Sequence, residues 1–440
     1  MSKKIRVRAA VLLAALACLA LVWSGATVPS GLAQSGAVAP TNTKSAAVAA
    51  ATTEVLQETS MLRKLPILRP VKSGAQSRAE IERMIMRNLD EDTTPEEMHA
   101  SEVALRKLGL VPQDFQYRPF IISLLAEQVA GYYDPKEQEF FLADWIDVDG
   151  QKPVMAHELT HALQDQHFNL RRFEKWPKGD SDAELAAHAL IEGDATLAMQ
   201  LYIQRNPMRA IAMLRSIEAS GSSSEQIDKA PRALRESLLF PYEKGMIWVA
   251  GLFKREGWER VSKAYTELPQ STEQVMHLEK YYSRDAPVRL SVPDITGALG
   301  QGWRRIDYDV NGEWSYYLIL DEYLKSQTES AAAAAGWGGD RYAVYEGKNK
   351  GEVFIAQLTS WDTEKDAVEF FDAYAKRTAR RYTGAEETET EDTQTAALRA
   401  WRTTEGNVWM ERRGQRVAIL EGLPEKADAR ALLKTMWQKA

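Results

Sequence analysis

The sequence predicts an α+β fold in which a mostly helical domain, with a small N-terminal sheet, precedes a small α+β domain. Residues 181–282 show helical periodicity almost throughout, with breaks at prolines. Earlier in the chain, aromatic residues flank the Asp134-Pro135 turn, which predicts a hairpin within residues 128–142. Beyond Pro293, apolar and polar residues alternate as they do in strands. The composition, 45% apolar and 27% charged, is that of a globular protein.

Residues 1–33 have the order of features of a secretory signal peptide. Four basic residues precede the uncharged apolar run Ala9–Trp23, and Gly31-Leu32-Ala33 offers a cleavage site before Gln34. We therefore expect an exported protein, located in the periplasm, in the cell envelope or outside the cell after cleavage. The alternative is that the apolar run remains as a membrane anchor, although it is short for a span. No other segment is apolar enough to cross a bilayer, so the mature chain is expected to have no transmembrane domain.

Cysteine content and charge restrict both the partners and the means of stabilisation. The only cysteine, Cys18, lies in the predicted signal peptide, so no disulfide is expected in the mature chain. Removal of the signal peptide, with its four basic and no acidic residues, changes the net charge from −7 to −11. An acidic surface argues against nucleic acid as a partner. The sequence indicates no particular oligomeric state.

A flexible linker is predicted between the signal peptide and the first domain. It covers residues 34–75, because residues 34–60 are rich in Ala, Ser and Thr and contain no aromatic residue. The first domain is expected over residues 76–290. It begins with a capping box, in which Ser77 is followed three residues later by Glu80, ahead of apolar residues at helical spacing.

The second domain is expected over residues 291–440. Its pattern is ββαββα-like, with one antiparallel sheet and a helix over Thr363–Tyr382. The acidic run Glu386–Asp392 is interpreted as a solvated loop.

The predicted helix over Val154–Gln166 carries the strongest chemical signal. His157 and His161 are four residues apart and therefore lie on one face, where both imidazoles can reach a single Zn²⁺ ion. Glu158 projects beside them and can accept a proton from a metal-bound water. The neighbouring residues are uncharged and mostly apolar, as expected for a buried active-site helix.

Several residues compete to be the third metal ligand. Glu192 lies on a second, strongly apolar helix, where a buried carboxylate needs a partner, and Glu184 and His188 share its face. His167 has the spacing of the third histidine of metzincin peptidases, but Gln164 stands where that group has a helix-breaking glycine. In an unbroken helix His167 points roughly 80° away from His157, on the side opposite to His161. Glu192 is therefore preferred.

Two further segments extend this pattern to a known family. His157–His161 together with Glu192-Gly193-x-Ala195 resemble the gluzincin group of zinc metallopeptidases. Tyr242-Glu243-Lys244-Gly245 is similar to the Tyr-x-Lys-Gly segment of the aminopeptidase-like gluzincins. The resemblance covers residues 130–285 and implies a zincin-like metallopeptidase fold with Zn²⁺ held by two histidines and Glu192.

The resemblance also implies roles for other side chains. Tyr242 would stabilise the oxyanion that forms during peptide hydrolysis, and His277 is a second candidate for that role, as a histidine is in some gluzincins. A substrate peptide would pair with an edge strand, for which the strand at 139–143 is the candidate. Asp165 and Asp194 are candidates to hydrogen-bond a ligand histidine.

These observations predict an exported zinc-dependent peptidase that acts on peptide or protein substrates. No Gly-x-Met-Glu-Asn element, which holds the substrate's amino group in the related aminopeptidases, is present, so endopeptidase cleavage is favoured. The alternative is a catalytically inactive zincin-fold protein that serves in binding or assembly at the cell envelope. The presence of Glu158 argues against that alternative, because a scaffold does not require this carboxylate.

Overall fold

The computed structural model describes residues 41–220 and 225–438. The predicted signal peptide, its cleavage site and the beginning of the predicted linker lie outside these residues. The described part is an α+β protein with 16 α-helices, as predicted at that level of detail. No helix within these two ranges combines the length and the hydrophobicity needed to cross a lipid bilayer.

Most helices precede the large sheet. They are α1 (Thr41–Arg63), α2 (Arg78–Asp92), α3 (Pro95–Leu108), α4 (Tyr117–Gln128), α5 (Lys152–Phe168), α6 (Ser181–Arg205), α7 (Met208–Ser220), α8 (Glu225–Lys229), α9 (Arg232–Ala264), α10 (Thr272–Met276), α11 (Leu278–Ser283) and α12 (Thr296–Leu299). A short 3₁₀ helix, Leu170–Lys175, follows α5. The capping box predicted at the start of α2 is present, since Ser77 and Glu80 bond reciprocally.

The small sheet contains three strands and differs from expectation at its edge. Strands β1 (Lys72–Gln76), β2 (Gly131–Asp134) and β3 (Glu139–Ala143) have the order β1-β3-β2. The predicted hairpin is the antiparallel β2–β3 pair. The prediction that residues 139–143 form a substrate-binding edge strand is wrong, because β1 pairs in parallel with β3 and occupies that edge. The two edge strands of this sheet are therefore β1 and β2.

The predicted flexible linker is wrong for most of residues 41–75, because Thr41–Arg63 form α1 and residues 72–75 belong to β1. Val48 and Val55 of α1 are completely buried in a cluster that includes Met155 and Leu159 of α5. An alanine-rich segment has high helix propensity, and Val48, Val55 and Leu56 fall on the face that contacts α5. The low apolar content that suggested disorder is therefore sufficient for this segment to fold, because α5 supplies an apolar surface against which α1 packs.

The large sheet is antiparallel throughout, as predicted, and has the strand order β4-β5-β6-β10-β9-β8-β7. Its strands are β4 (Arg304–Asp309), β5 (Trp337–Glu346), β6 (Val353–Trp361), β7 (Glu386–Asp392), β8 (Ala396–Arg402), β9 (Asn407–Arg413) and β10 (Arg416–Leu423). Four helices accompany it: α13 (Gly312–Leu324), α14 (Gln327–Ala334), α15 (Glu364–Arg381) and α16 (Ala429–Gln438).

The acidic run Glu386–Asp392 is strand β7, so the prediction of a solvated loop is wrong. It pairs with β8, and two of its carboxylates, those of Glu389 and Glu391, accept hydrogen bonds from Arg430. As the last strand of the sheet, β7 presents charged side chains at an edge, which discourages pairing with another chain.

The main hydrophobic core is continuous across the predicted domain boundary at 290. Buried residues of α6 and α9 share one cluster with Trp314 of α13 and Trp337 of β5. A completely buried arginine, Arg377 of α15, donates to the main-chain oxygen of Leu108 at the end of α3. The helical segment and the sheet are thus packed on one another through both apolar and polar contacts.

Candidate metal centre

Helix α5 carries the two histidines, and its local sequence accounts for its course. Pro153 lies in the first turn, where its missing N–H costs nothing, and Asn169 ends the helix with a left-handed φ of 55°. The helix is unbroken through Gln164. All residues from Pro153 to Asp165 are buried, so the face that carries His157 and His161 is in the interior. The two imidazole rings lie edge to face, with centroids 4.7 Å apart.

Three potential ligand atoms form a compact triangle. Nε2 of His157 lies 3.1 Å from Nε2 of His161, and Oε2 of Glu192 lies 3.1 Å and 3.4 Å from these two nitrogens. Helix α6 supplies Glu192, whose side chain reaches across to α5. The structure thus brings together the three residues that the sequence analysis assigned to the metal.

The triangle fits a zinc ion in donor type and spacing. Ligand atoms about 2.1 Å from a tetrahedral zinc ion lie about 3.4 Å from one another, close to the three observed separations. Two imidazole nitrogens and one carboxylate oxygen are a common ligand set of catalytic zinc sites, in which a fourth position is open. Without a cation or a proton, three lone pairs would face one another in the interior, which is unfavourable.

Gln164 determines which nitrogen of His161 faces the triangle. Its Nε2 donates to the main-chain oxygen of Ile191 (3.0 Å) and to Oδ2 of Asp194 (3.1 Å). Both partners are acceptors, namely a main-chain oxygen and the Asp194 carboxylate that pairs with Arg63. This orientation of the amide therefore directs Oε1 toward Nδ1 of His161, 2.9 Å away. Nδ1 must therefore carry a proton, and in the neutral ring Nε2 presents its lone pair to His157 and Glu192.

Asp194 connects this arrangement to two more buried side chains. Its carboxylate accepts hydrogen bonds from the guanidinium of Arg63 (Nη2 to Oδ2, 3.0 Å) and from the hydroxyl of Tyr265 (2.9 Å). Arg63 and Asp194 are both completely buried. Of the two aspartates considered in the sequence, Asp194 therefore reaches a ligand histidine, through Gln164, whereas Asp165 bonds to Arg69 and to the hydroxyl of Tyr133.

Glu158 lies beside the triangle but is held from a different element. Its nearest ligand oxygen is within 4.8 Å of the ligand nitrogens of both histidines. The main-chain N–H of Tyr133 in β2 donates to Oε2 of Glu158 at 3.0 Å. The other oxygen, Oε1, is buried and has no hydrogen-bond partner among the described residues. One carboxylate oxygen is therefore fixed by the small sheet and the other is available for a reacting group.

Burial and charge shift the pKa values of the acidic groups in opposite directions. Burial raises the pKa of Glu158 to about 8. Without a metal ion, the pKa of His161 is raised to about 9 despite its burial, by the charge of Glu192 and the hydrogen bond to it. In that protonated state, burial alone would raise the pKa of Glu192, but the charge of His161 and hydrogen bonds from both histidines lower it. A cation in the triangle would favour the ionised form of both carboxylates.

Tyr242 adjoins the triangle through His157. Its ring stacks on that imidazole with centroids 6.0 Å apart and an interplanar angle of 24°, and only 1% of its surface is exposed. It lies on α9, immediately after Pro241, which is inside the helix. Tyr242 therefore lies next to a candidate metal ligand, while its oxyanion role stays a prediction.

His277 is engaged elsewhere. It lies at the C-terminal end of α10, and its Nε2 is 2.8 Å from Oε1 of Glu313 in α13. The hydrogen bond to Glu313 raises the pKa of His277. Its side chain remains 42% exposed, in contrast to the buried triangle. Its oxyanion role stays a prediction, and its observed partner is a carboxylate.

Of the competing third ligands, His167 is engaged with another partner. His167 is close to the end of α5, and its Nε2 bonds to the main-chain oxygen of Pro66, 2.8 Å away. Glu184 and His188 are buried on α6, two turns and one turn before Glu192. Neither belongs to the group of possible metal ligands within the described ranges, which comprises His157, Glu158 and His161. Glu192 joins that group through its contacts with both histidines.

The centre is closed to solvent. His157, Glu158 and His161 are 0% exposed, and Glu192 is 1% exposed. A polypeptide can reach these groups only if the surrounding elements move apart.

Three residues around the candidate metal centre were not predicted from the sequence. Arg63 was assigned to the linker, Tyr265 had no motif, and Gln164 was considered only as the residue that replaces a glycine. The signal available for Gln164 was its position three residues after His161, where a side chain on the same helix face can reach the imidazole. Arg63 and Tyr265 contact the centre only through long-range packing, for which the sequence has no local signature.

Comparisons with known proteins address the C-terminal part alone. Residues 301–433, which contain all seven strands of the large sheet, match a family described as a domain of unknown function (DUF8575). No curated protein and no solved structure matches the chain.

Proposed function

We propose that the protein is a zinc-dependent peptidase of the gluzincin type that is exported and favours endopeptidase cleavage. The observation that carries this proposal is the triangle of His157, His161 and Glu192 with Glu158 beside it. A metal-binding role needs only the triangle. Hydrolysis also needs a base with a free oxygen, and Oε1 of Glu158 provides one.

In this proposal His157, His161 and Glu192 hold the metal. Zn²⁺ bound there would act as a Lewis acid and would lower the pKa of a water molecule. Glu158 accepts the proton of the attacking water on Oε1, while the N–H of Tyr133 keeps the carboxylate oriented through Oε2. Glu158 then delivers this proton to the leaving amine. Tyr242, next to His157, is the candidate donor to the developing negative charge on the carbonyl oxygen.

A second function has one observation in its favour. The same residues could hold a structural zinc ion in a non-catalytic protein that serves in binding or assembly at the cell envelope. The complete burial of the centre is typical of structural sites and unlike the open cleft of most peptidases. In that case the orphaned oxygen of Glu158 has no evident use.

One experiment separates these functions. The chain from residue 34 onward is purified without added metal, its zinc content is measured, and hydrolysis of an unstructured protein is followed for the wild type and for Glu158→Gln. Equimolar zinc with hydrolysis that disappears in Glu158→Gln supports the peptidase. Equimolar zinc without hydrolysis by the wild type supports the structural site, and absence of zinc refutes both.

A further inference from the structure

Helix α1 ends inside the surroundings of the candidate metal centre. Arg63, its last residue, is 0% exposed and lies with its guanidinium 4.4 Å above the ring of Trp258. It also donates to Oγ of Ser262 at 3.2 Å. Burial of an arginine is costly unless its charge is paired, and the paired group here is Asp194, two residues beyond Glu192.

A continuous chain of hydrogen bonds leads from Arg63 to the triangle. Arg63 donates to both oxygens of Asp194, which accepts from Nε2 of Gln164. Oε1 of Gln164 then accepts from Nδ1 of His161 at 2.9 Å. Each donor in this chain points toward Asp194 or Gln164, so the direction of all these hydrogen bonds depends on Asp194 accepting from both Arg63 and Gln164.

Removal of the Arg63 guanidinium would loosen the last links. Asp194 would lose the two hydrogen bonds that fix both of its oxygens, so its carboxylate could turn away from Nε2 of Gln164. The amide of Gln164 would then no longer be held with Oε1 toward His161, and its NH₂ group could take that place, which requires an unprotonated Nδ1 on His161. In that tautomer the proton sits on Nε2, where the triangle needs a lone pair.

We propose that Arg63 is a positioning residue of the candidate metal centre, which through Asp194 and Gln164 holds His161 with its Nε2 lone pair directed at His157 and Glu192. This inference rests on the metal site of the proposed function but not on peptide hydrolysis. It makes α1, which the sequence presents as a linker, a part of the metal centre. Partners of ligand histidines commonly change metal affinity by about 10–100-fold when they are removed.

The test uses zinc-loaded protein and two measurements that do not depend on activity. Zinc affinity is measured by competition with a chelator, and the imidazole N–H of His161 is followed by ¹H–¹⁵N NMR on protein with labelled histidines. In the wild type we expect an N–H signal at Nδ1 that exchanges slowly with water. Arg63→Met should weaken zinc binding about 10–100-fold and make this signal exchange rapidly or disappear. Arg63→Lys retains the charge and should recover most of both properties.

The chain offers a matched control in Arg377. This arginine is also 0% exposed and bonds to a carboxylate that is 0% exposed, Glu421, at 2.8 Å. Arg377→Met therefore removes a comparable buried ion pair from the large sheet, and it should leave the His161 signal and the zinc affinity unchanged. Gln164→Met removes the hydrogen bond to His161, while Asp194 stays paired with Arg63. If Arg63→Met does not fold, this variant tests whether the hydrogen-bond chain holds His161.

The outcomes separate this inference from the proposed function. Unchanged zinc affinity and an unchanged His161 signal in Arg63→Met and Gln164→Met would overturn the positioning role alone. Equal losses in Arg63→Met and Arg377→Met, with no effect of Gln164→Met, would mean that general destabilisation is the cause and would also overturn it. A wild type that binds no zinc would overturn both. Zinc binding that weakens in Arg63→Met, in a chain without peptidase activity, would support the positioning role and refute the peptidase.

Discussion

Gly193 and Gly245 face each other where α6 crosses α9, so closely that a Cβ on Gly193 would lie 2.3 Å from the carbonyl carbon of Gly245. The approach bears on the geometry of the candidate metal centre, because Gly193 directly follows Glu192 and Gly245 lies one turn after Tyr242. The separation of the two helices at this crossing therefore sets the positions of a candidate metal ligand and of the tyrosine that stacks on His157.

We predict that Gly193→Ala destabilises the fold and disturbs the centre. The added methyl group must push α9 away, at a cost of about 1–3 kcal/mol or more. Urea unfolding and zinc content measure the two effects. Gly297→Ala is the control, because a Cβ at that helical position meets no atom within 4 Å. Equal stability of the two variants would contradict the close crossing.

Glu158→Gln is predicted to abolish hydrolysis while zinc and fold are retained. Glutamine has nearly the same shape and can still accept from the N–H of Tyr133, but it cannot take up a proton from water. Loss of a positioned general base lowers the rate by about 10²-fold or more. Activity within a few-fold of the wild type would refute the mechanism, and an unchanged thermal midpoint of the zinc-loaded protein would show that the variant is folded.

The third ligand is tested by two substitutions. Glu192→Ala should lose zinc, because its carboxylate contacts both histidines, and it should lose the thermal stabilisation that bound metal gives the folded state. His167→Ala should keep zinc, because its imidazole bonds to the main-chain oxygen of Pro66. Zinc content of the purified variants decides between the two candidates. Loss of zinc in His167→Ala and retention of zinc in Glu192→Ala would indicate a metzincin-type site instead.

Acid unfolding is predicted to depend on Glu421. Burial alone would raise the pKa of this carboxyl, but the neighbouring Arg377 and Arg381 lower it to about 2. A carboxyl with a pKa near 4.3 in the unfolded chain and a lower one in the folded chain stabilises the fold above the unfolded value. This contribution is lost as the pH falls from about 4.5 through the folded value of about 2.

Urea unfolding at a series of pH values measures this dependence. Glu421→Gln should be less stable near pH 7 by about 3–5 kcal/mol, because it leaves the charge of Arg377 buried and unpaired. Its stability should also fall less steeply below about pH 4.5 than that of the wild type. Parallel pH profiles for the two proteins would show that Glu421 does not titrate as argued.

Export is predicted to remove about the first 33 residues, on the basis of the basic start, the short apolar run and the small residues before Gln34. N-terminal sequencing of the protein recovered outside the cytoplasm should begin near Gln34. A chain that retains its first residues in the membrane fraction would indicate an anchor.

The sequence by itself determined the part of the site that lies on one helix. His157, Glu158 and His161 are four residues apart or less, and the geometry of a single helix fixes their mutual placement whatever surrounds it. The alternation beyond Pro293 likewise sufficed for the antiparallel sheet, because strand periodicity is a local property.

Tertiary structure decided everything that required two distant segments to meet. The contact of Glu192 with both histidines depends on how α6 packs on α5, and the ion pair of Arg63 with Asp194 depends on α1 packing against both helices. The pairing of β1 with β3 places β3 in the middle of the small sheet and leaves β1 and β2 at its edges. Such contacts form because the apolar surfaces and charges of distant segments complement one another in the folded chain. The periodicity of a single segment contains no information about this, which is why an alanine-rich helix was predicted as a linker.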